Sequence, residues 1–197
     1  MRRIYLGFVK PVCDFAIALP AFIVLLPAYM LIAVAIRIDS VGPSLFVQER
    51  LGRRGKVFRI YKFRSMRVDL SFNTTETLSS DPRITRVGNF IRKTSLDELP
   101  QLINILKGDM SFIGPRPPLT GFPKPYAEYT EFEKRRFEVK PGVSGLAAVR
   151  QREVHDWSKN FPLDVEYVEK VSALFDVKLF VTSLLCFFRT NNVYSRS

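Results

Sequence analysis

Apolar residues are concentrated at the start of the chain. Residues 15–36, "FAIALPAFIVLLPAYMLIAVAI", carry no charge, and as one helix they would extend roughly 33 Å, enough for a hydrocarbon core. The run is too long for a cleaved signal peptide, and no small-residue cleavage motif follows it. Pro20 and Pro27 lie inside it. Each removes a backbone donor and crowds the preceding turn, so the pattern predicts a break or kink at this pair. Beyond Asp39, turn residues lead into alternating apolar and basic positions on either side of "GRRG", which predicts a short β-hairpin through Phe46, Val57, Phe58, Ile60, Tyr61 and Phe63.

Further along, 69–82 reads as a polar loop. A helix is expected from about Leu96 to Lys107, ended by Gly108. The stretch 108–125 is too rich in Gly and Pro for regular structure, a second helix covers roughly Tyr126–Val139, and "KPGVSGLAAV" is a turn entering a short extended piece. Two helices close the chain, about 162–173 and 175–189. The last is apolar over most of its surface and too short to span comfortably, so it reads either as an interfacial amphipathic helix or as a buried core helix. The expected class is mainly α with a short β-hairpin (α+β), divided into a membrane segment, 1–37, and a catalytic domain, 38–197, with no internal repeat.

Charge sharpens the topology. Thirty Lys and Arg against nineteen Asp and Glu leave a formal +11, which points to an anionic partner. From Arg37 to Arg64 there are eight basic residues and two acids. Arg2, Arg3 and Lys10 precede the apolar run and this basic block follows it. A straight span would put one cluster on the outer face, against the positive-inside bias. A re-entrant segment, entering and leaving by the same face, satisfies both, and a single kinked transmembrane helix is the alternative. Asp14 at the edge of the run needs a polar partner, with Arg2, Arg3 and Lys10 nearby. Cys13 and Cys186 are far apart in apolar runs, which argues against a disulfide framework and fits a reducing compartment. The lone His155 builds no histidine metal site.

The chemistry centres on "SLDELPQL", residues 95–102. Ser95 and Glu98 have capping-box spacing, and acids suit a first helical turn. Pro100 would then be the fifth helical residue, at a cost of about 3 kcal/mol. Starting the helix later removes that cost, breaks the capping box, and frees at least one carboxylate. An ionised Asp97 near a helix N-terminus can act as a nucleophile toward phosphorus, with Glu98 binding Mg²⁺ and Arg92, Lys93 and Arg116 the nearest cations in sequence.

The run "TSLDELPQLINILKGDMSFIGPRP", with "YKFRSM" upstream and "RRFEVKPGVSG" and "FPLDVEYV" downstream, closely resembles the bacterial sugar transferase family, the small monotopic phosphoglycosyl transferases. The blocks occur in the family's order over nearly the whole chain. The resemblance implies a reaction at the cytoplasmic face of the bacterial inner membrane. A nucleotide-diphosphate sugar, expected to be a UDP-sugar, and polyprenyl (undecaprenyl) phosphate give a polyprenyl-diphosphate sugar and UMP. This is a first membrane step of glycoconjugate assembly that downstream glycosyltransferases would extend. It implies that Asp97 attacks the sugar-bearing phosphate to form a covalent phosphosugar intermediate, that Glu98 is associated with Mg²⁺, and that the N-terminal segment is a broken, re-entrant helix. Arg92, Arg116 and Arg136 become candidates for phosphate or nucleotide contacts, Lys62 of "YKFRSM" joins them, and Asp164 is a candidate for orientation or metal support.

The chain departs from the family pattern in places. Leu26 precedes Pro27 where members commonly carry serine, with Pro20 as a possible compensation; "LAAVRQRE" follows "KPGVSG" where Trp-Ala-Gln is common; and the chain stops at "NNVYSRS" without the longer tail of some members. Competing readings are a membrane-bound phosphatase or phosphodiesterase using water, and a non-enzymatic basic peripheral membrane protein. Nucleic acid is not an expected partner, because no stacking series of aromatics accompanies the basic residues and the apolar anchor would be unexplained.

Overall fold

The computed structural model describes residues 2–67, 81–151 and 157–189. The expected loop at 69–82 lies outside them except for Asp81 and Pro82, as does His155. Helical conformation begins with Arg2–Ile4 and a π-type turn, Tyr5–Val9, and continues as α1, Lys10–Asp39. The expected interruption at Pro20 and Pro27 is not seen: both lie inside one uninterrupted helix. They are exposed and stand two turns apart on its outer side. A missing donor there costs no packing contact against the domain.

One side of α1 is held by protein along its length. Tyr5 and Leu6 pack against a core cluster around Val168 and Leu179, Ala18, Ala21, Phe22 and Leu25 against Ile60, Leu102, Ile105 and Met110, and Tyr29, Ile32, Ala33 and Ile36 against Phe63 and Ile91. Polar ties accompany these contacts. The Phe112 N–H donates to Asp14 Oδ1 (3.3 Å), the Tyr29 hydroxyl donates to the Leu99 carbonyl, and the Val87 N–H donates to Asp39 Oδ2 (2.8 Å). Lys10 pairs with Asp176 on the last helix rather than with Asp14. At the helix C-terminus, Arg64 donates to the Ser40 and Val41 carbonyls, where cations and donors satisfy the exposed end of the dipole.

The hairpin is formed as the alternation predicts: β1, Leu45–Leu51, pairs antiparallel with β2, Val57–Phe63. Helix α2, Arg86–Lys93, is capped by Thr85, whose hydroxyl accepts from the Gly88 N–H. A Cβ at Gly88 would lie 1.9 Å from the Ser65 carbonyl, so only glycine permits this approach. The helix expected over 96–107 is divided: a 3₁₀ turn, Leu96–Glu98, precedes α3, Gln101–Leu106. Pro100 stands just outside α3, where its missing donor is harmless. Gly108, at φ 79, ends the segment as anticipated.

The Gly/Pro-rich stretch contains a strand after all. β3, Ser111–Ile113, pairs parallel with β4, Gly142–Ser144. The expected Tyr126–Val139 helix is reduced to a 3₁₀ turn at Tyr126–Glu128, α4 at Glu131–Lys134, and a 3₁₀ turn at Arg135–Glu138. Tyr129 is extended between them and buried in a cluster with Leu51, Phe137 and Phe161, while Thr130 and Glu133 form a capping box that starts the helix afresh. Then follow α5, Leu146–Arg150, α6, Trp157–Lys170, and α7, Ala173–Arg189. Leu179 of α7 is buried, whereas Leu174, Val177, Val181, Leu184 and Leu185 are exposed, so this helix has a core face and a bare apolar face.

Asn104 joins α3 to the hairpin. It is fully buried, donates to the Arg59 carbonyl (2.7 Å) and accepts from the Tyr61 N–H (3.0 Å). Asn104→Leu leaves both β2 groups unpaired, and should lower stability by about 2–4 kcal/mol, read as a fall in the thermal midpoint of the detergent-solubilised protein.

Candidate active site

The acid pair owes its exposure to local backbone geometry. Ser95 adopts a left-handed conformation (φ 51, ψ 18) and makes no side-chain cap, a conformation costly for a residue with a Cβ. The chain reverses there and presents Asp97 and Glu98, both half-buried, on the 3₁₀ turn. The capping box suggested by the spacing is therefore absent. Glu98 turns instead to Lys62 of β2, whose Nζ donates to Oε1 at 2.7 Å.

Lys62, Arg92, Arg116 and the acid pair come together in one electrostatic neighbourhood. Burial, then the charge of Glu98, push the Asp97 carboxyl up to about 6, against the pull of Lys62 and Arg92. Burial also raises Glu98, but Lys62, Arg116 and Arg50 outweigh it and hold this carboxyl below its ordinary range. Two adjacent carboxylates thus sit in fields of different strength.

Arg50 was not singled out from the sequence as a site residue. Its guanidinium donates to the Pro117 carbonyl (3.1 Å) and Gln48 Oε1 (2.7 Å), while its Nε is buried without a hydrogen-bond partner. Burial, then the neighbouring charge of Arg116, lower it to about 10, opposed by Glu98. Arg50 also bridges to Leu119, and the Leu51 N–H donates to the Pro118 carbonyl (2.9 Å), so the hairpin fixes the loop that carries Arg116. The sequence signal was the "QER" acid–base pair at the end of a predicted strand, indistinguishable there from a solvated hairpin edge.

Arg136 and Asp164 meet each other rather than the acid pair. Their side chains are 1% and 2% exposed and joined at 2.7 Å, with the guanidinium 5.1–5.4 Å from the ring centres of Phe137, Trp157 and Phe161. Burial raises the Asp164 carboxyl, with Arg136 opposing. Arg136 Nη2 also donates to the Arg116 carbonyl at 2.6 Å, so the pair supports the "GPRP" loop. Arg116 lines a recess with Gly114, Ser144, Asn160 and Asp164.

Among the described residues no group of three or more His, Cys, Asp or Glu side chains gathers as a metal cage. A hard cation such as Mg²⁺ needs only one or two carboxylates when substrate phosphates and water complete its shell. Glu98, tied through one oxygen only, and Asp97 fit that requirement.

The acid pair thus has four cations around it, Lys62, Arg92, Arg50 and Arg116, and stands beside a long apolar helix. The chain belongs to the bacterial sugar transferase family, whose model matches residues 5–190. It is 45% identical over 156 residues to the galactosyl transferase CpsE of Streptococcus agalactiae, covering 73% of this chain and 34% of that protein. It is 38% identical over 172 residues to the UDP-glucose:undecaprenyl-phosphate glucose-1-phosphate transferase of Escherichia coli, covering 84% and 37%. The protein of the same description from Caulobacter vibrioides is 34% identical over 200 residues, covering 98% and 75%. The chain thus spans about a third of the length of the first two.

The buried ion pair yields a test. Asp164→Ala or Arg136→Met alone strands a charge and should cost about 3–5 kcal/mol, whereas Arg136→Met with Asp164→Leu should recover most of it, as measured by denaturant midpoints. The double variant should still lose activity, because the Arg116 carbonyl has lost its donor.

Proposed function

We propose that this protein is a phosphoglycosyl transferase, moving a phosphosugar from a nucleotide-diphosphate sugar to a polyprenyl phosphate. A carboxylate oxygen of Asp97 attacks the sugar-bearing phosphorus. The bond from that phosphorus to the oxygen bridging the two phosphates breaks, and a nucleoside monophosphate leaves. An oxygen of the lipid phosphate then attacks the same phosphorus, releasing Asp97 and forming the polyprenyl-diphosphate sugar. The observation that carries this reading is Asp97, half-buried and faced by Lys62 and Arg92, beside a Glu98 that Lys62, Arg116 and Arg50 hold ionised. The names of two relatives, which concern undecaprenyl phosphate and UDP-glucose, support it; one named for galactose leaves the sugar open.

The residues divide the work. Lys62 holds Glu98, Arg116 and Arg50 bring positive charge to the diphosphate, and Arg92 lies near Asp97. Mg²⁺, held by Glu98 with Asp97 beside it, would supply further charge neutralisation when bound.

The membrane reading rests on α1. From Tyr5 to Asp39 is about 50 Å of helix, and its inner side is in contact with the domain from end to end. If α1 crossed the bilayer, the hairpin and the acid turn packed on it would lie in hydrocarbon with their charges and loop backbone. Its outer side, with Phe8, Val12, Phe15, Ile23, Val24, Met30, Leu31 and Val34 exposed, is bare and apolar. On this reading α1 does not cross the bilayer but lies along its surface, with its outer side in the hydrocarbon, the bare face of α7 resting on the interface and the catalytic domain on the cytoplasmic side.

Protein quenched during turnover should carry the phosphosugar mass on Asp97, detected by peptide mass spectrometry. Asp97→Asn should abolish both adduct and transfer; an active Asp97→Asn enzyme would refute the assignment. Water alone releasing the product at the full rate would favour a phosphodiesterase. Arg50→Gln should lower kcat/KM for the nucleotide sugar roughly 10- to 100-fold, the loss of one charged hydrogen bond, while adduct formation persists at high substrate.

A further inference from the structure

A second recess lies under the N-terminal part of α1, lined by Leu6, Lys10, Pro11 and Asp14 from the helix side and by Arg53, Glu138, Val139 and Lys140 from the domain. It is remote from the acid pair. The Tyr29 hydroxyl reaches Leu99 next to that pair, and from Lys10 to Tyr29 is about 28 Å along the helix.

Its charges are unevenly matched. Lys10 is committed to Asp176, the Arg53 Nε to the Glu138 carbonyl at 2.9 Å, and Glu138 to Arg2 at 3.3 Å. Asp14 accepts from the Phe112 N–H. Lys140 is half-buried, and among the described residues its ammonium has no hydrogen-bonding or ion-pairing partner. Burial lowers it below its ordinary range, with Arg53 and Lys10 adding to the effect and Asp14 and Asp109 opposing. A half-buried ammonium that no hydrogen bond or ion pair satisfies is costly, and here the more distant charges of Asp14 and Asp109 offset that cost only in part. An anion between Lys140 and Arg53 would relieve the cost.

The walls indicate what carries that anion. Leu6, Pro11 and Val139 are apolar. Pro11 borders, in helical projection, the exposed stripe of Ile4, Phe8 and Phe15. A charged mouth thus opens onto hydrocarbon-seeking surface, an arrangement suited to a phosphate head with acyl chains.

We propose that this recess binds an anionic glycerophospholipid of the surrounding bilayer, its phosphate between Lys140 and Arg53 and its chains running over Pro11 toward Phe8 and Phe15. The proposal rests on the membrane reading above. The site fixes the start of α1 at headgroup level, away from the reacting groups.

The purified full chain would be sedimented with vesicles of phosphatidylcholine alone and with one-fifth phosphatidylglycerol, free of any polyprenyl lipid. Wild type should bind both, and the second more tightly. Arg53→Gln with Lys140→Gln should lose about thirtyfold of the phosphatidylglycerol gain and keep its binding to phosphatidylcholine. Lys140→Arg should retain the gain. Arg54→Gln with Lys56→Gln, which removes equal charge from exposed positions outside the recess, should lose no more than about threefold. Equal losses in the two double variants, or none in the first, overturn the lipid site while the membrane reading stands. Failure of wild type to bind either vesicle overturns both.

Discussion

A helix that buries Lys10, Asp14 and Ala18 on one side and bares Phe8, Val12 and Phe15 on the other must be covered by protein along the first side and leaves the second apolar and bare. Much of the described structure takes its place from that covered side. α3, α7 and the hairpin pack on the inner side, and the turn that carries the acid pair is tied to the helix by the Tyr29 hydroxyl on the Leu99 carbonyl and by Leu96 and Leu99, which share a cluster with Ile36. Hydrophobic burial alone would let such a helix slide or roll, since neighbouring Leu and Ile residues are near equivalents. Directional contacts at Lys10, Asp14, Tyr29 and Asp39 penalise every other register by leaving buried groups unpaired.

The sequence carried the parts whose cause is local. Alternation around "GRRG" specified the hairpin, because strand pairing there follows the two-residue period. Gly108 marked the end of α3 because a positive φ is needed there. The acid pair was legible through Pro100, which is incompatible with a helix started at Ser95. What was not legible depends on distant partners. A three-residue strand at Ser111–Ile113 exists because Gly142–Ser144 lies alongside, and nothing within the first segment announces the second. Arg136 and Asp164 read as separate candidates, one for phosphate or nucleotide contact and one for orientation or metal support; only folding reveals that they pair with each other, with aromatic rings around the guanidinium. The continuity of α1 through two prolines likewise follows from where its inner face is held, not from propensity.

The buried Arg136–Asp164 pair illustrates how stability is traded for position. Removing two charges from water costs more than their attraction commonly returns, so a pair of this kind is a poor way to stabilise a core. Its value lies in the third contact, from Arg136 to the Arg116 carbonyl. An apolar replacement would fill the space but donate nothing to that loop. From the opposite side Arg50 holds the next residue, Pro117. The "GPRP" loop is therefore clasped by two guanidiniums at adjacent carbonyls, which is how a Gly/Pro-rich segment keeps one shape.

Charge around the acid pair follows from the same clasp. Lys62, Arg92, Arg50 and Arg116 outnumber Asp97 and Glu98 by two, and Arg50 and Arg116 repel each other across Glu98. Such crowding is unfavourable in the protein by itself, and an anion placed among these cations would relieve it. The distribution also separates the two acids. Three cations act on Glu98 and leave it a firmly ionised partner for positive charge, whereas Asp97 feels two, and its neighbour's negative charge as well. The less stabilised carboxylate is the more basic of the two. Adjacent residues of like charge acquire different basicities because the hairpin and the "GPRP" loop approach the turn from the side of Glu98.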